Sequence, residues 1–207
     1  MNLGYNYVLE FASKKHAGQF RADGVTPYIE HPKKVAELVQ MYKKSSKMDV
    51  LVAAALLHDT IEDTYTSYKE LEDEFGEIVA SLVLELTTAS YYCRFMGKAQ
   101  YLERKMANMS SYALVIKLAD RLANIMDSVN LTLEKQKNLY HQTKQIINYL
   151  KFHKKLSPSH KRLIKAIKEE LEVLRSTIRL LETAQVVKTK PNKEENLNQS
   201  TKGLTKN

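Results

Sequence analysis

The sequence has one cysteine, Cys93, so no disulfide can form within it. Six glycines and four prolines in 207 residues are few, which favours long regular elements over a loop-rich fold. No run of 18 or more apolar residues is present, so no membrane span and no membrane partner are expected. Nothing near the first residue reads as a signal peptide. A glycine-rich phosphate loop is also missing, which speaks against a P-loop enzyme or a kinase. Taken together, these absences predict a protein of a reducing compartment, most simply the cytoplasm.

An apolar fraction of 43% is enough for a core, and the length suits one domain. Charge is unevenly placed. Residues 1–150 carry 18 Lys/Arg and 18 Asp/Glu, so the net charge of +8 lies entirely behind residue 150. A positive region favours anionic partners. The plainest reading of residues 151–183 is a solvated helix face, and of residues 184–207 a loose tail. That tail contains no aromatic residue, so a nucleic-acid partner is not expected.

The apolar spacing is helical throughout, and no segment alternates like a strand. Leu3, Tyr7 and Phe11 place a helix over residues 3–20. Pro32 suits the first turn of a second, with Val35, Leu38, Val39 and Tyr42 as its buried stripe. DVLVAAALLH, residues 49–58, is apolar all round and therefore central, with Asp49 as its cap. Ser67 and Glu70 have capping-box spacing, and Gly76 breaks the helix that follows. Residues 88–97 read as a loop. Further helices are predicted near 98–109, 112–128, 132–153 and 159–184, with disorder from Lys188 onward. The expected organisation is one domain over residues 1–184 and a disordered basic tail over 185–207.

Four short strings concentrate chemistry: GQFRADG (18–24), TPYIEHP (26–32), HDTIEDT (58–64) and KLADRLAN (117–124). In HDTIEDT, one His and three carboxylates follow a helix of nearly pure hydrocarbon. Such groups are costly to bury without partners, and a metal would provide them for His58 and Asp59. Glu62 and Asp63 lie four residues further on, one helical turn away, where acid–base work on water is plausible. KLADRLAN puts Asp120 and Asn124 on one helical face. Taken singly, Asp120 between Lys117 and Arg121 reads as a salt-bridged group, and His31 before Pro32 as structural. Taken together, two imidazoles and several carboxylates suit Mn²⁺, Fe²⁺ or Zn²⁺ better than Ca²⁺.

The ordered set H…HD…D is the pattern of the HD-domain phosphohydrolase superfamily. The longer strings GQFRADGVTPYIEHP, AALLHDTIEDT and KLADRLANI resemble the hydrolase domain of RelA/SpoT-homologue proteins, over about residues 4–150. That resemblance implies an all-α fold, a compact multi-helix HD-domain bundle around a buried metal site. It implies His31, His58, Asp59 and Asp120 as metal ligands, usually for Mn²⁺. Glu62 and Asp63 match the acidic pair that orients or activates water. Arg21 and Asn124 match substrate contacts, and Lys117 and Arg121 are further candidates for phosphate neutralisation. The implied activity is removal of the 3′-pyrophosphate from guanosine tetra- and pentaphosphate, the alarmones of the stringent response, as in stand-alone small alarmone hydrolases. Ala22 and Asp23 follow Arg21 where many relatives carry a basic or hydroxyl residue. Two alternatives stay open: a phosphatase or pyrophosphatase acting on another nucleotide such as NADPH, and a non-catalytic module that senses a nucleotide.

Overall fold

The computed structural model describes residues 3–189, and they fold as a helical bundle. Two helices form its centre. α3 (Met48–Leu57) buries every residue from Val50 to Leu57. α9 (Ser111–Met126) buries an unbroken stretch from Ala113 to Ala123. Around α3 pack α1 (Tyr5–Lys15), α2 (Glu30–Tyr42) and α6 (Glu77–Leu86), and α2 also lies against α9. The other side of α9 is covered by α11 (Pro158–Thr189), while α10 (Leu133–His153) pairs with α8 (Lys98–Asn108). Each fully buried leucine contributes about 1.5–3 kcal/mol. The all-apolar run of α3 therefore has nowhere to go but the middle.

Local signals set most boundaries. Pro32 sits in the first turn of α2, where its missing N–H costs nothing. Ser67 Oγ caps α5 (Tyr68–Phe75) by accepting from Glu70 N at 3.1 Å. Gly76, at φ +90°, separates α5 from α6 in a conformation that a side chain would strain. Ser110 caps α9 by accepting from Ala113 N, and its own hydroxyl donates to Glu85 at 2.7 Å.

Four expectations are corrected. α1 ends at Lys15, because Gly18 at φ +78° turns the chain before residue 20. Asp49 lies within the first turn of α3 and makes no cap, Lys47 holding the cap position. The segment expected as a loop contains α7 (Ser90–Met96), a helix that buries none of its residues. Helical periodicity is visible only where one face is buried, so α7 left no apolar stripe to read. The boundary at 184 falls inside α11, which runs to Thr189, and the rest of the expected tail lies outside the described residues. Among the described residues the only β pairing is an isolated bridge between Phe20 and Pro27. No helix among them is long and apolar enough to cross a membrane.

Candidate metal centre and its cavity

Two helix ends and the middle of a third helix converge on a single point. The first turn of α2 brings His31, the C-terminal end of α3 brings His58 and Asp59, and the middle of α9 brings Asp120. All four are buried. Ligand atoms of His31, His58 and Asp120 lie within 4.8 Å of one another, a spacing that could hold a metal ion. Asp59 Oδ2 stands 3.0 Å from His58 Nε2 and 3.9 Å from His31 Nε2. Asp120 Oδ1 is 3.2 Å from His31 Nε2 and 3.9 Å from His58 Nε2. Asp59 occupies the position that would cap the short helix α4 (Thr60–Asp63), yet its carboxylate makes no capping bond and is left for other work.

The tautomer of His58 follows from its surroundings. Nδ1 donates to the Ala55 carbonyl at 2.7 Å, so Nε2 is the nitrogen aimed at the carboxylates. That Nε2 is buried and makes no hydrogen bond of proper direction. An imidazole lone pair facing two carboxylates in a dry interior needs a cation or a proton between them. Burial opposes a charged His58, but Asp59 and Asp120 outweigh it and raise the pKa to about 8. The same reasoning runs in reverse for the acids. Burial works against ionised Asp120, but Lys117 at 2.9 Å and the two imidazoles hold its carboxyl well below the usual range. Asp59 is likewise lowered against burial, chiefly by His58. Two imidazole nitrogens and two ionised carboxylates form a donor set that fits a divalent transition metal.

The centre opens into a cavity of about 690 Å³. Every other residue singled out from the sequence lines it: Arg21, Glu62, Asp63, Lys117, Arg121 and Asn124. The helical path persists through HDTIEDT, with Asp63 N donating to Asp59 O at 2.8 Å. Glu62 and Asp63 therefore sit one turn beyond the HD pair. Glu62 Oε2 accepts from Thr88 N at 2.7 Å, which fixes it to the cavity wall. Asn124 Nδ2 donates to Asp120 Oδ1 at 2.5 Å, and Arg21 Nη2 reaches Asn124 Oδ1 at 3.4 Å. Arg21 also pairs with Asp127 at 2.9 Å, so its guanidinium is held over the cavity by the end of α9. Arg121 is buried, lines the cavity and makes no hydrogen bond or ion pair among the described residues; burial lowers its pKa and Asp120 partly restores it.

Asp23 has a local explanation. Its carboxylate accepts from Val25 N, Thr26 N and Thr26 Oγ1, which together lower its pKa to about 2. It shapes the loop that presents Arg21. Three residues of the site were not readable from the spacing. Tyr28, Thr88 and Asp127 make their contacts across 26 to 106 residues of chain, and only Tyr28, within TPYIEHP, stood in a string already singled out.

A family model described as the HD domain matches residues 8–156. A guanosine-3′,5′-bis(diphosphate) 3′-pyrophosphohydrolase of Spiroplasma citri is 33% identical over 168 residues, 79% of this chain and 21% of that protein. The pyrophosphohydrolase MESH1 of Danio rerio is 38% identical over 127 residues, 61% of this chain and 69% of its own length. The chain thus spans about a fifth of the long relative and about two thirds of the short one. A solved structure of a metazoan ortholog of SpoT, described as hydrolysing ppGpp, superposes with a TM-score of 0.66 at 27% identity, covering 80% of this chain and 94% of that one. With the buried His and Asp group at its centre and the family match across most of its length, the chain belongs to the HD-domain family.

Proposed function

We propose that the chain hydrolyses the 3′-pyrophosphate of guanosine tetra- and pentaphosphate, releasing pyrophosphate and leaving GDP or GTP. His31, His58, Asp59 and Asp120 are the proposed ligands of its metal, with Mn²⁺ as the ion the family resemblance suggests. The observation that carries this reading is the orphaned Nε2 of His58 facing Asp59 and Asp120, two carboxylates that line a cavity also reached by Arg21, Lys117 and Arg121. A divalent ion held there supplies Lewis acidity, making water easier to ionise and offsetting charge on the phosphoryl oxygens.

The chain's own residues do the rest. Arg21, Lys117 and Arg121 line the cavity and are the proposed contacts of a polyphosphate; among the described residues Arg121 makes no hydrogen bond or ion pair. Asn124 lies between Arg21 and Asp120, placed to accept or donate to a ribose hydroxyl. Glu62 and Asp63 orient the attacking water and accept its proton. Water adds to the phosphorus next to the 3′ oxygen, the bond to that oxygen breaks, and the 3′ oxygen takes up a proton as pyrophosphate leaves. The proposed setting is the cytoplasm, with a small nucleotide as partner and neither membrane nor nucleic acid required.

The test is a screen of the metal-reconstituted protein against guanosine tetraphosphate, NADPH and common nucleotides, reading pyrophosphate and phosphate separately. Pyrophosphate from guanosine tetraphosphate is expected. Phosphate from NADPH, with the alarmone untouched, would replace the reading by a nucleotide phosphatase. Nucleotide binding without turnover would make the chain a sensor.

A further inference from the structure

We infer that Tyr28 is a positioning residue that couples the metal-binding group to the acidic pair: its hydroxyl sets the orientation of Asp59 and ties that orientation to Asp63. The inference rests on the metal-centre reading above and deepens it.

The Tyr28 hydroxyl donates to Asp59 Oδ2 at 2.7 Å and lies 3.2 Å from Asp63 Oδ2. Among the described residues it is the sole hydrogen-bond donor to the Asp59 carboxylate. A carboxylate without it would turn freely about its last bond, and a ligand that turns loses part of its affinity to ordering entropy. A phenol has one proton. At these distances the proton goes to Asp59, with Asp63 as the second acceptor. Drawing charge off Asp59 weakens it as an acceptor and moves the balance toward Asp63. The state of the metal group is in this way communicated to the residue beside Glu62.

The ring is held as firmly as the hydroxyl. Tyr28 N donates to Gln19 O at 2.9 Å, which fixes the backbone of the loop. The His16 ring lies against the phenol at 4.8 Å between centroids, and the Arg21 guanidinium stands 5.6 Å from the ring centre. His16 Nδ1 donates to Gln19 Oε1 at 2.8 Å, and Gln19 Nε2 donates to the Asp63 carbonyl at 2.9 Å. These contacts close a circuit from Tyr28 through His16, Gln19 and Asp63 back to the phenol. His16 is buried at 3% exposure, which marks it as scaffold for this circuit and separates it from the solvent. The phenol thus meets a proposed ligand, a proposed acid and a proposed substrate arginine.

Tyr28→Phe removes the hydroxyl and keeps the ring under Arg21. The metal-stripped full chain is titrated with Mn²⁺, and free ion is read by its paramagnetic resonance signal. Y28F should bind Mn²⁺ about 10–100-fold more weakly than the wild type, the range found when an outer partner of a ligand is lost. Equal affinity overturns the inference while leaving the metal centre standing. A wild type that takes up no divalent ion refutes the metal-centre reading, and the inference with it. Should Y28F fail to fold by circular dichroism, the wild type itself decides. Adding Mn²⁺ should then shift the near-ultraviolet tyrosine bands, and bound metal with an unchanged tyrosine spectrum overturns the coupling.

Discussion

Two carboxylates three residues apart are expected to fail in different ways. Asp59 touches both imidazoles, so Asp59→Ala should remove metal and turnover together, as read by metal content and product release. Glu62 touches neither; it is fastened to Thr88 N at 2.7 Å. A glutamine at 62 can accept the same hydrogen bond, so Glu62→Gln should keep its metal and lose about 10²-fold in kcat, within the range of general acid–base catalysis. Full activity in E62Q would take Glu62 out of the reaction. At this scale the sequence was informative wherever the chemistry was local. His58, Asp59, Glu62 and Asp63 share one string, and their helical spacing survived folding. Tyr28, Thr88 and Asp127 escaped because a phenol, a backbone amide and a helix-end acid carry no signal until tertiary structure supplies a partner.

Among the elements, the joint between α9 and α11 has a pH sensitivity of its own. His160 accepts from Ser157 N at Nδ1, 3.1 Å away, and donates from Nε2 to the Ser111 carbonyl at 2.9 Å. The neutral ring satisfies both contacts, and a second ring proton would confront the Ser157 N–H. Burial lowers the His160 pKa, Lys43 and Lys154 add to the effect, and the Ser111 carbonyl only partly opposes it. A folded pKa below the unfolded 6.5 means that the unfolded chain binds more protons as pH falls. The contribution is therefore complete above pH 6.5 and lost as pH drops below it. His160→Gln should flatten the dependence of the melting temperature on pH between about 7 and 5; an unchanged slope would show that the joint does not titrate. Elements with a buried face were legible in advance: α3 from its unbroken apolar run and α9 from Leu118, Leu122 and Ile125. α7 was not, because none of its residues is buried and no apolar stripe marks its period.

Across the whole molecule, the charge excess and the cavity do not coincide. The cations that line the cavity, Arg21, Lys34, Lys98, Lys117 and Arg121, all come from the first 150 residues, which sum to zero. Among the described residues, none beyond Gln142 lines it. Net charge by segment was thus a poor guide to where phosphate would go, because a local field depends on which side chains converge. The donor group joins α2, α3 and α9, so occupancy should stabilise the bundle as a whole. Metal at a hundred times its dissociation constant adds about 2.7 kcal/mol, or about 5–10 °C in melting temperature for a chain of this size. Bound Mn²⁺ without a rise in melting temperature would contradict a centre shared by these helices.

The spread of the donors has a consequence for synthesis. His31 and the HD pair leave the ribosome long before Asp120, and α9 is what brings the fourth donor and the buried Lys117 that balances it. A nascent chain that stops short of Ser111 holds two imidazoles and an aspartate with no wall to hold them together. With the proposed ligands, the site stays one carboxylate short until α9 has been made and docked, so metal uptake would report on completion of the chain.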